Sequence, residues 1–433
     1  MEKRKASVCE DELDQAGKWK LVRVSDDAAP LQAVIFADFF EKGFRPVSFE
    51  RPKALIPLVN IPIIDYSLAW LESIGVQEVF VFCFRQFNQV KDYLENSQWS
   101  SLDRFQVKMV EFEGSILVTD MLRLFYQKQP IRGEFVLISG DIMSNMNLTE
   151  VFKEHNERKK KDVKSIMTIV IRKLEDQTSL NTMNYGYAVR YMDIHPQTKE
   201  LLYYDNKRGY EDLMLSRMPL NADNPVLFSL NNKQDCSIYI CSPEVLNLLA
   251  DEFRYQHMRR FIKGLLADKV NGYKIFTHEV QSNCQVAKVE NFQCYFEMSK
   301  DIKNSRLNMC RLVPHSIQER YKESKDACPT EAQRLLKNGT TISESSVIGE
   351  GCKIGSHVVI KDSYIWNNVT IEDHCTIEGS IICDGAVIHE KAVVRNCLIS
   401  FKVVLEPEYH GFAMVSSRVK QPSYWSDEDR LFS

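Results

Sequence analysis

A short repeat in the C-terminal part of the chain constrains the fold more than any other feature of the sequence. Between Thr340 and Leu405, branched apolar anchor residues recur in steps of six within a set and five between sets, so the whole pattern repeats every 17 residues. The anchors are Ile342, Ile348, Ile354, Ile360, Ile365, Ile371, Ile377, Ile382, Ile388, Val394, Ile399 and Leu405. Small or medium side chains follow four residues after the anchors, at Cys352, Val358, Val369, Cys375, Ala386, Ala392 and Val403. Branched residues with this period fill the interior of a three-walled prism, and the small ones fit where its walls converge. The repeat therefore predicts a left-handed parallel β-helix built from hexapeptide repeats.

The part of the chain before the repeat alternates between strand-like and helix-like segments. Apolar runs predict buried strands at residues 33–37, 79–84, 105–112, 135–139, 165–171 and 236–241. Apolar residues with helical spacing predict helices at residues 63–74, 86–96, 117–127 and 148–159. Strands that alternate with helices are typical of βαβ units, so we expect an α/β, Rossmann-type domain with a largely parallel sheet.

These patterns divide the chain into five segments. We predict a disordered arm because the first residues are charged and aperiodic, then an α/β domain, a linker, the β-helix and a tail, at residues 1–28, 29–302, 303–335, 336–412 and 413–433. The tail carries Tyr424, Trp425, Leu431 and Phe432 among charged residues. It is predicted either to cap an open end of the β-helix, where backbone groups lack strand partners, or to remain disordered.

Composition limits the environments in which the chain acts. Its 55 Lys and Arg against 59 Asp and Glu give a net charge of −4, which provides no general argument for binding nucleic acid or an anionic membrane. No apolar run approaches the roughly 18 residues of a membrane-spanning helix, so we expect no membrane span. The first residues lack the apolar segment of a secretory leader, so we expect no signal peptide. The 12 cysteines form no C-x-x-C pair, which predicts reduced thiols in a cytosolic protein.

The stretch from residue 31 to residue 65 has the order of a phosphate-binding site: a buried strand, a loop and the start of a helix. It contains an intact P-K-x-L-x-P segment at Pro52–Pro57, and later segments read S-G-D at residues 139–141 and Y-G-Y-A-V at residues 185–189. In these motifs the chain resembles the nucleotide-sugar pyrophosphorylases, which are sugar-1-phosphate nucleotidyltransferases and also carry a hexapeptide β-helix. The resemblance implies a nucleotidyltransferase-like domain in which Lys53 neutralises phosphate charge and Asp141 binds Mg²⁺.

The nucleotide site implied by this resemblance is degenerate in the sequence. Asp38 and Phe39 stand where the family has paired glycines, so a carboxylate and a bulky ring occupy positions that a triphosphate approaches. Two like charges about 4 Å apart repel by about 1 kcal/mol in water and about 4 kcal/mol at a protein surface. Asp235-Cys236-Ser237 replaces a second family motif, N-x-G. We therefore predict a degenerate site with no catalytic residue, no metal and no cofactor, formed by Asp38, Phe39, Gly43, Arg45, Lys53 and Asp141.

Three longer segments resemble the gamma and epsilon subunits of eukaryotic translation initiation factor 2B, and the epsilon type most. They are residues 63–83, Ser97-Gln98-Trp99 and residues 235–266. These subunits join an inactive nucleotidyltransferase domain to a hexapeptide β-helix. The resemblance implies a cytosolic component of the complex that exchanges GDP for GTP on initiation factor 2. Its implied partners are a gamma-type subunit in a heterodimer, beta-, delta- and alpha-type subunits, and initiation factor 2 as the substrate G protein, without membrane or direct nucleic-acid contact.

The chain departs from the epsilon pattern at a motif that the family ties to exchange. Where the family has Asn-Phe-Asp, this sequence has Glu252, Phe253 and Arg254. Glutamate only accepts hydrogen bonds where asparagine also donates, and arginine reverses the charge of aspartate. The alternative interpretation is a helix surface that tolerates substitution. Epsilon subunits also continue beyond the β-helix into a helical repeat domain. The sequence leaves open whether that domain is removed here or not encoded. It also leaves open whether the role of the chain is epsilon-like or gamma-like.

Two other functions remain as alternatives from the residues alone. An active pyrophosphorylase that makes GDP-mannose or UDP- or ADP-glucose would use Lys53, Asp141 and Mg²⁺. A hexapeptide acyltransferase would use a histidine at a coil edge, for which His357 and His374 are the candidates; they lie 17 residues apart and are expected to stack as a structural pair on adjacent coils.

Overall fold

The structure is a computed structural model that describes residues 30–37, 43–83, 86–110, 118–128, 130–173, 191–205, 233–251, 258–268, 270–281, 284–303, 339–411 and 414–415. These residues divide between two units. The first holds residues 30–37 and the described part of 63–294, and the second holds residues 43–62, 295–303 and the described residues from 339 onward. Thus residues 43–62 and 295–303, which were expected in the α/β domain, group with the β-helix. The predicted arm, the linker from residue 304 and the tail beyond residue 415 lie outside the described residues.

The first thirteen strands, in chain order, belong to the α/β part of the sequence. They are β1 (Gln32–Phe36), β2 (Pro57–Leu58), β3 (Ile61–Pro62), β4 (Glu78–Phe82), β5 (Gln106–Met109), β6 (Phe135–Ser139), β7 (Ile142–Ser144), β8 (Ser165–Lys173), β9 (Tyr191–Ile194), β10 (Leu201–Asp205), β11 (Lys233–Cys241), β12 (Lys274–Glu279) and β13 (Val286–Lys288). The helices are α1 (Ile63–Ser73), α2 (Phe87–Asn96), α3 (Val118–Gln127), α4 (Thr149–Lys161), α5 (Glu244–Asp251), α6 (Met258–Ala267) and α7 (Phe292–Lys303).

A seven-stranded mixed sheet forms the centre of the first unit, in the order β12-β8-β11-β6-β1-β4-β5. β11 is antiparallel to both of its neighbours, β6 and β8, and the other adjacent pairs are parallel. β1 lies between β6 and β4 and is buried along its whole length, which is why its sequence is a continuous apolar run without alternation. All six predicted strands and all four predicted helices are confirmed, with bounds that differ by a few residues.

Two of the segments that resemble initiation factor 2B subunits contact each other in the first unit. Asp65, in the first turn of α1, is fully buried. Its carboxylate accepts the indole N–H of Trp99 at 2.9 Å and the hydroxyl of Tyr93 at 2.6 Å. An acidic side chain in the first turn also suits the positive end of the helix dipole. The Ser97-Gln98-Trp99 segment therefore anchors the start of α1 rather than forming a separate site.

The repeat forms a parallel β-helix of three sheets with five, five and four strands in the described residues. Successive coils stack in register, with Ile365 opposite both Ile348 and Ile382. The strands are β14 (Thr341–Ile342), β15 (Val347–Ile348), β16 (Lys353–Ile354), β17 (Val359–Lys361), β18 (Tyr364–Ile365), β19 (Thr370–Ile371), β20 (Thr376–Glu378), β21 (Ile381–Ile382), β22 (Val387–Ile388), β23 (Val393–Arg395), β24 (Leu398–Ile399), β25 (Val404–Leu405), β26 (His410–Gly411) and β27 (Met414–Val415). The predicted hexapeptide β-helix is thus confirmed.

The interior of the β-helix is filled as the repeat predicts. The anchor residues from Ile360 to Leu405 and the small residues from Val358 to Val403 are buried and form one apolar cluster. Thiols at three corners add polar links between coils, since the S–H groups of Cys352, Cys375 and Cys397 donate to carbonyl oxygens 14 residues later at 2.9–3.1 Å. None of the nine described cysteines takes part in a disulfide.

No helix in the described part of the chain is long and apolar enough to cross a membrane.

A partly buried polar cluster lies at the amino end of β6. The carboxylate of Glu134 accepts a hydrogen bond from the Ser242 hydroxyl at 2.7 Å, and the Nε2 atom of His155 lies 3.0 Å from it. Lys159 contributes a charge, with its Nζ atom 3.2 Å from the carboxylate. Burial opposes ionisation of this carboxyl, but the hydrogen bonds from His155 and Ser242 and the nearby charges outweigh it and hold the pKa of Glu134 below its usual range.

This lowered pKa predicts an acid-dependent loss of stability. The ionised carboxylate stabilises the folded state fully above the ordinary glutamate pKa of about 4.3, and that stabilisation is lost as the pH falls through the lowered folded-state pKa. Replacing Glu134 by Gln removes the charge and should cost about 1–3 kcal/mol at pH 7. Thermal unfolding of both proteins from pH 7 to pH 3 measures this. The difference in Tm should shrink on acidification, and a difference that stays constant would contradict the assignment.

Candidate functional site

The turn after β6 closes tightly against the end of β1. The N–H of Gly140 donates to the carbonyl oxygen of Phe36 at 2.9 Å, and a Cβ atom added at Gly140 would meet the Cα atom of Ala37 at 3.1 Å. This close approach explains the glycine of the S-G-D segment. Asp141 follows it and is 2% exposed, and its carbonyl oxygen accepts the N–H of Val289 at 3.1 Å. Asp141 therefore lies in a turn whose backbone is fixed by its neighbours.

The P-K-x-L-x-P segment lies in a loop of residues 43–62 that we call the proline loop. Lys53 begins a short 3-10 helix, Lys53–Leu55, and is only 7% exposed. Its Nζ atom lies 5.3 Å from the ring centroid of Phe44, which is within the range of a cation–π contact. Arg45 lies over the ring of Phe49 at 5.5 Å, and Gly43 is exposed. Arg45 and Lys53 therefore both face aromatic rings of their own loop.

The candidate nucleotide-site residues divide between the two units. Lys53, Arg45 and Gly43 belong to the second unit with the β-helix, whereas Asp141 belongs to the first. Asp38 and Phe39 lie outside the described residues, and so do Glu252, Phe253 and Arg254 at the predicted exchange motif. Within the part of the chain that the structure describes, no group of three or more His, Cys, Asp or Glu side chains could hold a metal ion.

The segment that replaces the family's N-x-G motif contains a residue other than glycine with a positive φ. Ser237 has a φ of +56° and lies in an irregular part of β11, a conformation that is uncommon for residues other than glycine. Asp235 stabilises it, because its carboxylate accepts the Ser237 N–H at 2.7 Å. The same carboxylate accepts the hydroxyls of Tyr204 and Tyr239 and is itself buried. Asp235 is thus engaged in structural hydrogen bonds.

One wall of the β-helix is apolar on its outer face. The residues that precede the anchors on this wall are large and buried, unlike the exposed Lys353 and Val404 on another wall; they are Val347, Tyr364, Ile381 and Leu398. Trp366 and Phe401 extend the apolar surface and are also buried. A surface of this size costs free energy unless another segment covers it. In the second unit, the proline loop and residues 295–303 of α7 provide contacts to it.

Arg51 of the proline loop contacts this wall through its guanidinium group. The group lies 5.7 Å from the ring centroid of Trp366 and 5.0 Å from that of Phe401. It also forms an ion pair with Asp384, a residue of the β-helix corner whose other carboxylate oxygen accepts the N–H of Asn367 at 3.2 Å. A planar guanidinium suits this combination of stacking and ion pairing better than an ammonium does. Arg51 therefore contacts residues of three successive coils.

Tyr295 connects the proline loop, α7 and the β-helix wall. Its hydroxyl donates to the carbonyl oxygen of Pro57 at 2.7 Å and accepts the indole N–H of Trp366 at 3.1 Å. Its ring packs edge to face against Tyr364 and Trp366. Burial is the main cause that raises the pKa of this hydroxyl far above its ordinary value, so it remains a neutral donor. Nearby, the side-chain amide of Asn60 donates to the carbonyl oxygen of Ile348 at 2.9 Å.

The two histidines considered as candidates for acyl transfer, His357 and His374, stack on each other. The rings of His357 and His374 stack with their centroids 5.0 Å apart and their planes 7° apart. A groove of about 490 Å³ on the β-helix is lined by Lys353 but also by the acidic side chains of Glu372, Asp373 and Glu390. An acidic lining repels a polyanion such as coenzyme A. These observations favour the structural interpretation of the two histidines.

Two family models match the sequence. One, described as nucleotidyl transferase, matches residues 34–265, and the other, described as the LbH domain of the epsilon subunit of eIF2B, matches residues 322–410. The two matched regions follow each other in the order of the α/β sheet and the β-helix.

Relatives in two groups are similar to this chain. Translation initiation factor eIF2B subunit epsilon from Schizosaccharomyces pombe is 32% identical over 75% of this chain and 48% of its own length. The protein of the same name from Dictyostelium discoideum is 34% identical over 63% of this chain and 38% of its own length. The human mannose-1-phosphate guanylyltransferase regulatory subunit alpha is 26% identical over 52% of this chain and 47% of its own length. The chain thus spans half or less of the length of the two eIF2B relatives.

The contacts of Tyr295 predict a specific loss of stability in the second unit. Replacing Tyr295 by Phe keeps the ring packing but leaves the Pro57 carbonyl and the Trp366 indole N–H without this partner. Each buried polar group that loses its partner costs about 1–3 kcal/mol. Urea unfolding followed by tryptophan fluorescence measures the change, with Tyr126→Phe, a half-buried tyrosine of the first unit, as the matched control. Equal stability of the two variants would contradict the role of the hydroxyl.

Proposed function

The chain belongs to the nucleotidyl transferase family, and we propose that within it the chain serves as an epsilon-type subunit of translation initiation factor 2B. In this role it is part of the complex that replaces GDP by GTP on initiation factor 2. The observation that carries the proposal is the 32% identity to the S. pombe epsilon subunit over 332 residues, which is long enough to include residues of both matched regions. The match of residues 322–410 to an epsilon-type β-helix supports it independently.

The proposed partner in direct contact is a gamma-type subunit, which forms a heterodimer with this chain in the cytosol. The beta-, delta- and alpha-type subunits complete the complex, and initiation factor 2 is its substrate. This chain mainly contributes to assembly and supports exchange. In the proposed heterodimer, the two subunits pair through domains of the same two types. Large, predominantly apolar interfaces are typical of permanent complexes.

We further propose that the chain performs no sugar-nucleotide chemistry. Asp38 and Phe39 replace glycines of the phosphate loop in the sequence. The buried side chain of Asp235 is engaged with Ser237, Tyr204 and Tyr239 at the position of a second family motif. Lys53 is nearly buried beside Phe44. In this interpretation Lys53 and Asp141 are retained for the packing of their own units. The alternative is an active pyrophosphorylase that uses the same Lys53 and Asp141 with Mg²⁺.

Affinity capture of the tagged full chain from cells, followed by mass spectrometry, tests the assembly role. The expected result is recovery of the gamma-type subunit in equal amount, together with beta-, delta- and alpha-type subunits. Recovery of the chain without any of these subunits would contradict the proposal. A control capture with a chain that lacks the β-helix reports whether the matched β-helix region is needed for the same partners.

A pyrophosphate-release assay distinguishes the proposal from the enzymatic alternative. With Mg²⁺, a panel of nucleoside triphosphates and sugar 1-phosphates, the full chain should release no more pyrophosphate than Lys53→Ala does. Removing a group that stabilises transition-state charge lowers the rate of an active enzyme about 10²–10³-fold. Turnover by the wild-type chain that Lys53→Ala abolishes would therefore establish the alternative.

The exchange-motif position offers a gain-of-function test. We propose that Glu252 and Arg254 weaken the exchange activity of the complex relative to the family's Asn-Phe-Asp, with Phe253 retained. The double change Glu252→Asn and Arg254→Asp should then accelerate GDP release from initiation factor 2 by the assembled complex. Phe253→Ala should slow it in the restored background. Release rates that do not respond to the double change would support the interpretation of a tolerant surface instead.

A further inference from the structure

Two exposed valines lie on neighbouring loops of the first unit, at the amino ends of β8 and β12. Val163 is 75% exposed and Val270 is 92% exposed, and these are the two highest values among the large apolar side chains that the structure describes as exposed. The loops are adjacent because the N–H of Lys274 donates to the carbonyl oxygen of Lys164 at 2.8 Å. The side chain of Lys274 also pairs with Asp162 at 2.7 Å. Both valines therefore lie at the same end of the sheet.

An aspartate beside each valine accepts hydrogen bonds from backbone N–H groups of the loop. Asp162 accepts the N–H of Lys164 at 3.0 Å through its side chain, which fixes the turn around Val163. Asp268 accepts the N–H groups of Val270 and Asn271 at 3.0 and 3.2 Å, which fixes the second turn. Side-chain caps of this kind favour turn conformations. Each exposed valine therefore lies next to a capping aspartate in its loop.

Lysines surround the valines on the same surface. Lys160, Lys161 and Lys164 are exposed, and Lys160 and Lys161 end α4. Three carboxylates of this region have cationic partners, since Glu154 pairs with Arg158, Glu134 with Lys159 and Asp162 with Lys274. The interaction of cations with the negative end of the helix dipole is enough to explain lysines at the end of α4. It does not explain two exposed apolar side chains beside them.

We propose that this valine–lysine patch, formed by Lys160, Lys161, Val163, Lys164 and Val270, is a docking surface for an acidic linear segment of a partner protein. The lysines attract the carboxylates of this partner segment. The two valines pack against aliphatic side chains that lie between those carboxylates in the segment. A nucleic acid fits less well, because sites for single strands combine basic residues with aromatic rings for base stacking, whereas the exposed apolar residues here are aliphatic. None of the five patch residues belongs to the proposed nucleotide site or to the exchange-motif position.

Fluorescence anisotropy with the full chain tests this surface. The probe is a labelled peptide that alternates aspartate pairs with leucine, and the comparison probes are the same peptide with lysine in place of aspartate and a single-stranded oligouridine. The acidic peptide should bind saturably, and raising the salt from 50 to 300 mM should weaken it because exposed charges are screened. Tighter binding of the RNA or of the basic peptide would overturn the proposal.

Variants of exposed residues locate the binding without disturbing the fold. The triple change Lys160→Glu, Lys161→Glu and Lys164→Glu should weaken the acidic peptide about tenfold or more, since three exposed charge contacts together amount to roughly that factor. Val163→Ser with Val270→Ser should weaken it several-fold. The matched controls are Lys153→Glu, at an exposed position nearer the start of α4, and Val404→Ser, at an exposed valine of the β-helix. Controls that weaken binding as much as the patch variants, or a wild-type chain that binds no probe, would refute the patch.

Discussion

The second unit depends on covering one apolar wall of the β-helix. A parallel β-helix buries its interior through the repeat itself, but the outward residues of each wall normally face water. On this wall they are Val347, Tyr364, Ile381 and Leu398, and all of them are buried. The Tyr295 hydroxyl joins Pro57 to Trp366 across this surface, and the Arg51 guanidinium stacks there and pairs with Asp384. Without these segments the wall would be a large exposed apolar patch.

This constraint gives the proline loop a physical role that needs no nucleotide. The P-K-x-L-x-P segment of the family is associated with phosphate chemistry, yet here its residues belong to the unit that contains the β-helix. The Pro57 carbonyl oxygen accepts the Tyr295 hydroxyl, Asn60 donates to the backbone of Ile348, and Arg51 contacts three coils. Selection for folding alone is therefore sufficient to preserve the loop, as the proposed assembly role requires.

The sequence predicts the elements well and their long-range contacts poorly. Continuous apolar runs predict β1 and β6 because parallel strands are buried on both faces, and the 17-residue period predicts the β-helix because every coil repeats the same packing. The ion pair between Arg51 and Asp384 joins residues 333 positions apart, and no local pattern indicates it. A signal did exist in Tyr364, Ile381 and Leu398, which are apolar where outward positions are usually polar. The positive φ of Ser237 could not be predicted, because it depends on a cap by Asp235 that only tertiary packing arranges.

Hydrogen–deuterium exchange of the proline loop tests most directly whether this loop is a structural part of the second unit or a nucleotide site. Amides that are packed and hydrogen-bonded exchange slowly, and a ligand that binds a loop protects it further. If the loop is structural, residues 43–62 exchange as slowly as the strands of the covered wall, and Mg²⁺ with nucleoside triphosphates leaves their rates unchanged. Fast exchange in the free chain, followed by strong protection when a nucleotide is added, would instead show a nucleotide site.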